Sequence, residues 1–378
     1  MDSQYFSSSY EQARRKFLAA AGATGLPTSE HLHPSMGRDG EALAIDVAID
    51  GDPRADSRLL LSSGCHGVEG FAGSAVQAAA LTDEALRARA RAAGVTLVHL
   101  HALNPHGFSY LRRTTEDNVD LNRNFHDFTQ DLPVNEPYRR VHPLLVPAHW
   151  PPPPENEAAL MAMTQADGVR ALQAVVARGQ HEHPDGLFYG GRQPCWSNLT
   201  LRKVLRQFGA GAKRLGWIDL HTGLGPPGSG ERILACDTGP AAARARAWWG
   251  SEVTSVDDGS STSTTVTGPL WTAARDECPQ AEYTGIALEY GTVPLLQVLQ
   301  ALRADNWLYV HGRSGAGQPV QGTLGMGEEA ARQEAAWEEA RRQMMQAFCV
   351  DDDEWQAQVL AHAREAISQA IAGLADPA

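Results

Sequence analysis

The stretch that decides the fold is RLLLSSGCHGVEG, residues 58–70. It joins an apolar, β-prone run, residues 59–61, to a glycine-flanked turn that carries His66 and Glu69. Such uniformly apolar strands are typical of a sheet interior that is covered on both faces. An imidazole and a carboxylate three residues apart can point the same way and share one metal ion. This pair also occurs often by chance, so its weight depends on the rest of the chain.

Composition limits the classes of function. The chain has 378 residues, 43% of them hydrophobic and 20% charged, with a formal net charge of −13. These values predict a soluble globular protein with a substantial core. The negative charge argues against nucleic acid and against an anionic membrane surface as partners. The sequence contains no apolar run of about 18 residues, so we expect no membrane span.

Two features bear on the compartment. The five cysteines are scattered and lack Cys-x-x-Cys spacing, which favours a reducing cytoplasm over a disulfide framework. Residues 13–21, ARRKFLAAA, superficially resemble a twin-arginine export signal. The apolar run after the arginines is short and is broken by glycine and proline, so we favour an amphipathic first helix over residues 9–21. We therefore expect a cytoplasmic protein, with export as the alternative.

The chain alternates between strand-like and helix-like segments. We predict paired strands over residues 37–61, helices over 72–80 and 84–93, and a buried strand over 95–103. Further strands end at His221 and near Gly291. This rhythm predicts an α/β fold of three layers, α/β/α, with a central mixed, mostly parallel, twisted sheet. We expect one domain, residues 1–378, with an N-terminal helix in 1–30 and C-terminal helices in 328–378.

The composition of four other segments predicts their local structure. The proline-rich residues 133–155 suggest a surface excursion, and residues 157–178 predict one helix. Residues 190–198 either line a substrate pocket or form a helix start that Ser197 or Asn198 caps. The Ser/Thr-rich residues 259–267 predict a loop near a site or at a solvated edge.

His221 is the candidate for a third metal ligand. Like His66, it ends a predicted strand where a glycine-rich loop begins. Ligands of open α/β sheets gather at the carboxyl ends of strands. Two histidines and one carboxylate leave a fourth position for water, which is typical of catalytic zinc. Asp219 could orient one of the imidazoles.

Two further motifs give the chain a family resemblance. Residues 104–108 read NPHGF, an arginine pair follows, and residues 120–125 read DLNRNF. With the His-x-x-Glu turn, the later histidine and a late glutamate, these motifs resemble the zinc carboxypeptidase (funnelin) superfamily. More closely, the chain resembles an uncharacterised bacterial branch known as a domain of unknown function. The resemblance extends from about residue 59 to residue 294.

The resemblance implies a metal site and a base. The residues that match the family's zinc ligands are His66, Glu69 and His221, which makes zinc the expected cofactor. Glu289 matches the family's general base. A glutamate after an apolar strand is costly to bury without a partner or a task. The structural alternative for Glu289 is an ion pair.

The resemblance also implies two roles for arginine. Arg113 matches the arginine that stabilises the oxyanion, although the adjacent Arg112 could take its place. Asn122 and Arg123 match the pair that binds a substrate carboxylate, for which guanidinium geometry is well suited. For either Arg112 or Arg113 the alternatives are a surface position or pairing with Glu116 or Asp117. For Arg123 the alternative is a salt bridge to Asp120.

Together these residues predict a zinc-dependent hydrolase that cleaves an amide bond next to a free carboxylate. Its expected substrate is a small peptide or an N-acyl amino acid. One alternative is an N-acyl amino acid deacylase of the succinylglutamate desuccinylase or aspartoacylase type, and another is a non-catalytic zinc-binding module. No residue matches the family's mobile tyrosine cleanly, and the specificity pocket has no recognisable marker. The sequence therefore predicts no side-chain preference.

Overall fold

The computed structural model describes residues 2–311 and 328–375, and within them seven strands form one sheet. The strands are β1 (Thr28–Met36), β2 (Ala42–Asp50), β3 (Ser57–Ser62), β4 (Val95–His101), β5 (Arg214–Thr222), β6 (Gly230–Leu234) and β7 (Glu282–Tyr290). Their order is β1-β2-β4-β3-β5-β7-β6. The four consecutive strands β4, β3, β5 and β7 are parallel, while β1, β2 and β6 pair antiparallel at the two sides. The predicted mixed, mostly parallel sheet is confirmed.

Helices account for most of the remaining described chain. They are α1 (Tyr10–Ala23), α2 (Gly70–Thr82), α3 (Glu84–Ala92), α4 (Pro105–Tyr110), α5 (Glu136–Leu145), α6 (Pro154–Asp167), α7 (Val169–Ala177), α8 (Trp196–Phe208), α9 (Pro240–Trp249), α10 (Thr272–Glu277), α11 (Leu295–His311), α12 (Glu328–Phe348) and α13 (Asp353–Ala375). Short 3₁₀ turns cover Asp2–Tyr5, Gly67–Glu69 and Leu121–Arg123. No described helix is both long and apolar enough to cross a membrane.

The helices cover both faces of the sheet. On one face, Leu220 and its neighbours pack with Ile367 of α13 and with residues of α2, α3 and α9. On the other face, Trp217 packs with Leu201 of α8 and with residues of α10. Alternate residues of a strand point to opposite faces, which is why Leu220 and Trp217 belong to different cores. The predicted three layers are confirmed.

Strand β3 lies at the centre of the sheet, and all six of its residues are buried, as its apolar sequence predicts. The pairing predicted for residues 37–61 is wrong, because β2 pairs with β1 and β4 and not with β3. Strand β1 escaped prediction since it is a polar edge strand, with only one residue of its nine buried.

The ends of the chain match the predicted helices in part. Helix α1 buries Tyr10, Ala13 and Phe17 at helical spacing, and the Ser9 hydroxyl accepts a hydrogen bond from the Gln12 amide at its start. The predicted N-terminal region, 1–30, also contains the first residues of β1. Met1 and the last three residues of the predicted C-terminal region, 328–378, lie outside the described residues. The single-domain organisation stays a prediction.

The middle of the chain departs from prediction twice. Residues 157–178 form two helices, α6 and α7, because the chain breaks at Gly168, whose φ of 87° favours glycine. The predicted excursion at 133–155 contains helix α5, which buries Tyr138, Val141 and Leu145. Helix α7 matters for function, since it lines the candidate site.

Candidate active site

Three neighbouring strands bring the predicted site together at their carboxyl ends. His66 follows β3, while His221 and Glu289 are opposite each other in the register of β5 and β7. The turn after β3 is fixed by its neighbours, since the amides of Gly67 and Val68 donate to the carbonyls of Arg113 and Arg112 at 3.2 and 2.9 Å. This docking sets the direction in which the His66 and Glu69 side chains project.

The three predicted metal ligands converge. The Nδ1 atom of His66 lies 2.8 Å from Oε1 of Glu69, and the Nδ1 atom of His221 lies 3.0 Å from Oε2. All three side chains are buried, and their donor atoms lie within 4.8 Å of one another. Two imidazoles and a carboxylate at this separation are a donor set that suits zinc.

A carboxylate holds the far side of each imidazole. The Nε2 atom of His221 lies 2.6 Å from Asp219, whose other oxygen accepts a hydrogen bond of 2.5 Å from the Ser62 hydroxyl. The Nε2 atom of His66 lies 3.4 Å from Asp120 and 2.6 Å from Nη2 of Arg113. Carboxylates in this position fix the tautomer and the orientation of a ligating histidine. The predicted orienting role of Asp219 therefore has a geometric basis at His221.

These contacts shift the protonation equilibria of the buried groups. Burial alone would lower the pKa of His221, but Asp219 and Glu69 raise it well above its ordinary value. Burial alone would raise the pKa of Glu69, but the two imidazoles hold it well below its usual range. The site thus keeps Glu69 ionised despite its burial, as a metal ligand must be.

A second trio of donors, Cys65, Asp219 and His221, also lies within 4.8 Å. Its chemistry fits a metal poorly. Burial raises the pKa of the Cys65 thiol well above its ordinary value, whereas only the thiolate is a good ligand. Asp219 is already engaged by Ser62 and His221. Cys65 is a packing residue, in agreement with the sequence interpretation.

The structure separates the two adjacent arginines. Arg113 donates from Nε to Asp120 at 2.8 Å and from Nη1 to Glu69 at 3.3 Å, and it lines the cavity. Arg112 donates from Nε to the Asp305 carboxylate at 3.0 Å, and its guanidinium lies 3.7 Å from the Tyr309 ring centroid. Arg113 is therefore the arginine within reach of the ligands.

Asn122 and Arg123 lie beside the ligands. The Asn122 Oδ1 atom accepts from the Leu270 amide at 2.9 Å, and the Arg123 guanidinium donates to the carbonyls of Ala177 and Asn122. The Arg123 guanidinium comes no closer than 3.9 Å to the Asp120 carboxylate, which is too long for a hydrogen bond. Burial, which Asp120 offsets only in part, lowers the pKa of Arg123 to about 10. Arg123 is thus a buried cation that its own surroundings compensate poorly.

Glu289 is buried on the same side of the sheet. Its Oε1 accepts a hydrogen bond of 2.9 Å from the Leu224 amide. Burial, followed by the negative charge of Glu69, raises its pKa to about 8. Among the described side chains, those of residues 2–311 and 334–375, Glu289 forms no ion pair, so the geometry does not support the structural alternative.

One cavity of about 200 Å³ contains all seven predicted residues in its lining. Its apolar lining residues fall into two groups according to the elements that carry them. We call the first the strand lobe, formed by Trp217, Ile233, Leu270 and Ala287, and the second the helix lobe, formed by Val169, Leu172, Leu295, Leu296, Leu299 and Phe348. Neither lobe was predicted, because their residues come from distant segments without a common motif.

The predicted Ser/Thr loop borders this cavity. Ser263 and Thr264 line it, and the Thr264 hydroxyl is buried without a hydrogen-bond partner among the described residues. The loop is anchored from behind, since the Arg170 guanidinium donates to the carbonyls of Ser261 and Ser263. Residues 259–267 therefore lie near the site, as one of their two interpretations holds.

Residues 190–198 do not line the cavity. Asn124 holds this loop, since its side chain donates to the Gly190 carbonyl and accepts from the Cys195 amide. Helix α8 begins at Trp196, so Ser197 and Asn198 lie within the helix. The segment is a helix start as proposed, but the predicted side-chain caps are wrong.

Most of the chain matches a known protein family. Residues 6–362 match the family described as "Protein of unknown function (DUF2817)". The chain belongs to the DUF2817 family. The predicted membership of an uncharacterised branch is therefore confirmed. No functionally curated protein matches this DUF2817 member.

Several solved structures are similar to the DUF2817 protein. A bovine thrombin-activatable fibrinolysis inhibitor in complex with tick carboxypeptidase inhibitor is 8% identical, with 97% of each chain covered and a TM-score of 0.45. Carboxypeptidase A from Helicoverpa armigera is 11% identical, with 91% of this chain and 75% of that chain covered and a TM-score of 0.44. A candidate metallopeptidase from Shewanella amazonensis SB2B is 16% identical, with 79% and 92% covered and a TM-score of 0.41. Similarities this distant say nothing about the reaction.

Proposed function

We propose that the protein is a zinc-dependent hydrolase that cleaves an amide bond next to a free carboxylate. The observation that carries this proposal is the shared cavity. It brings a three-ligand donor set, His66, Glu69 and His221, together with the buried carboxyl of Glu289 and the guanidinium of Arg113. A Lewis-acid site, a base and a cation for the oxyanion are the groups that amide hydrolysis needs.

Zinc would be held by His66, Glu69 and His221. When bound, it supplies a Lewis acid that polarises the scissile carbonyl and acidifies a bound water. Glu289 accepts the proton of the attacking water and later donates it to the leaving amine. Burial and Glu69 raise the pKa of this carboxyl in the metal-free site, which strengthens it as a base.

Arg113 would stabilise the negative charge on the carbonyl oxygen in the tetrahedral intermediate. Burial alone would lower its pKa, but Asp120 and Glu69 raise it, so the guanidinium stays charged inside the protein. The 2.8 Å hydrogen bond to Asp120 also fixes its position before the substrate arrives. A cation that is held in place in this way needs little reorganisation during the reaction.

Arg123 and Asn122 would bind the substrate carboxylate. Of the five N–H donors of a guanidinium, Arg123 uses three on backbone carbonyls, which leaves two for an anion. The Leu270 amide occupies the oxygen of the Asn122 side chain, so its NH₂ group is available as a further donor. An anion here would compensate the charge that burial disfavours.

A second candidate reaction uses the same residues on an N-acyl amino acid. The helix lobe supports it, since this lobe adjoins Glu289 and is apolar, whereas a peptide would bring further polar amides into it. A non-catalytic zinc-binding module is the third possibility, and the retained base and arginine argue against it. Both hydrolytic reactions release an amino group next to a free carboxylate.

Metal analysis and a hydrolysis panel test the proposal. We expect one zinc per chain in the purified protein and turnover of N-blocked dipeptides or N-acyl amino acids. Matched substrates with an amidated carboxyl terminus should react at least about tenfold more slowly, because the Arg123 contact is lost. In Arg123→Gln the free and amidated substrates should converge. A protein that binds no zinc, or that hydrolyses neither substrate class, would refute the proposal.

A further inference from the structure

The two lobes contact different functional residues of the site. The strand lobe contacts the carboxylate-binding pair, because the Leu270 amide of this lobe donates a hydrogen bond to the Asn122 side chain. The helix lobe is linked to the base. The Leu224 amide donates to Glu289, and Gly223 is the residue before Leu224. The Gly223 backbone packs closely on Phe348 of the lobe, since a Cβ atom at Gly223 would lie 2.9 Å from the ring. The helix lobe is therefore the apolar lining next to the base, where a substrate held by its carboxylate can place its acyl group.

The helix lobe is apolar, and part of it is exposed to water. Leu296 is 42% exposed and Val169 is 37% exposed, and both line the cavity at the starts of α11 and α7. The six residues that define this lobe carry no charge and no hydrogen-bonding side chain. Exposed apolar surface that is continuous with a polar reaction centre marks a place where an apolar ligand group can displace water.

Two polar side chains beside the lobe, Gln173 and Arg170, have partners elsewhere. Gln173, on α7, donates from its side chain to the Thr262 carbonyl at 3.0 Å, and Arg170 is bound to the Ser/Thr loop. A charged or strongly polar acyl group would find no complementary side chain among the lobe residues and would lose its hydration. A succinyl-like group would therefore bind in this lobe less favourably than a hydrocarbon chain.

We propose that the substrates are N-acyl amino acids with an extended apolar acyl chain, which binds in the helix lobe. This inference rests on the proposed hydrolytic function. In the reaction, the oxygen of water adds to the acyl carbon, the C–N bond breaks, and the nitrogen takes up a proton. The products are a fatty carboxylate and a free amino acid, and no further reactant is consumed.

A chain-length series tests the inference. We compare N-acetyl-, N-butanoyl- and N-octanoyl-phenylalanine, at concentrations below micelle formation, on the zinc-loaded protein. Each buried methylene can raise kcat/KM by up to about fourfold, so we expect at least about a tenfold rise from acetyl to octanoyl. A flat or falling series, with the acetyl substrate still cleaved, would overturn the inference and leave the proposed function intact. Failure to cleave any N-acyl or peptide substrate would overturn both.

Matched variants locate the effect. Leu296→Asp should reduce the octanoyl-to-acetyl ratio of kcat/KM to about one, because it places a charge at the mouth of the lobe. Leu199→Asp is the control, since Leu199 on α8 is 55% exposed but does not line the cavity. The control should keep the wild-type ratio. If Leu296→Asp also kept it, the chain would bind elsewhere and the assignment to the helix lobe would be wrong.

Discussion

His66 and His221 differ from another buried pair of histidines, His99 and His101, on the adjacent strand β4. The first pair lies at strand ends, and each imidazole contacts carboxylates at both nitrogens. His99 is fully buried with neither nitrogen hydrogen-bonded among the described residues, and His101 contacts the Ser74 hydroxyl and stacks on Phe17.

The electrostatic consequences are opposite. Burial lowers the pKa of His99 to about 4 and that of His101 to about 3. Burial acts on His221 in the same direction, but its two carboxylates reverse the shift. Burial alone therefore does not identify a metal ligand. Position at the carboxyl end of a strand, together with carboxylate partners, separates a candidate ligand from a core histidine.

Removing one histidine of each pair should give the largest contrast. We expect His221→Ala to lose zinc and at least about a thousandfold in kcat/KM, because a ligand is gone. His99→Leu should keep its zinc and an activity within about threefold of wild type, since His99 points to the opposite face of the sheet from the cavity. Metal analysis and kinetics on both variants check this. Equal losses in the two would contradict the distinction.

Removing one partner of each pair should give a smaller contrast. Asp219→Asn should weaken zinc affinity by about 10- to 100-fold, as is typical when the carboxylate behind a ligating histidine is removed. Ser74→Ala removes the hydroxyl partner of His101 and should leave zinc affinity unchanged. Competition with a chromophoric chelator measures both constants. An unchanged affinity in Asp219→Asn would mean that Asp219 does not position His221.

The smallest effect concerns stability against pH. The folded-state pKa of His99 lies below its unfolded value of about 6.5, so the unfolded chain binds more protons between those values. Its contribution to the free energy of unfolding is therefore complete above pH 6.5 and is lost as the pH falls towards 4.

The variant His99→Leu removes this contribution. Relative to wild type, its free energy of unfolding should rise by about 2 kcal/mol between pH 7 and pH 5, since 1.5 pH units correspond to about 2 kcal/mol. Urea unfolding of the metal-free proteins at both pH values measures the difference, and His149→Ala controls for loss of an exposed imidazole. The same difference at both pH values would show that burial does not lower the pKa of His99.

Much of the candidate site could be predicted because its residues are tied to local patterns. The apolar run of β3 fixes where the strand ends, and His66 and Glu69 follow within one turn. The pairing of His221 with Glu289 follows from two strands that the sequence marks clearly. Alternation along β5 also places Asp219 behind His221.

Other features depend on contacts between distant segments. The choice between Arg112 and Arg113 is decided by Asp305, 193 positions after Arg112, and by backbone bonds to the turn at Gly67. Strand β1 forms because β2 offers an open edge, although its own sequence is polar. The helix lobe arises only when α7, α11 and Phe348 come together. No local pattern encodes these arrangements.

The variant Glu289→Gln removes the proposed base without touching a ligand, so it separates catalysis from metal binding. The amide can still accept the hydrogen bond from Leu224, so we expect a folded protein with one zinc per chain. Its kcat on the best wild-type substrate should fall by at least about a thousandfold, which exceeds the usual contribution of proton transfer alone because the attacking water also loses its orientation. Zinc bound at full occupancy with kcat lost is the predicted result. Zinc bound with kcat unchanged would contradict the assignment of Glu289 as the base.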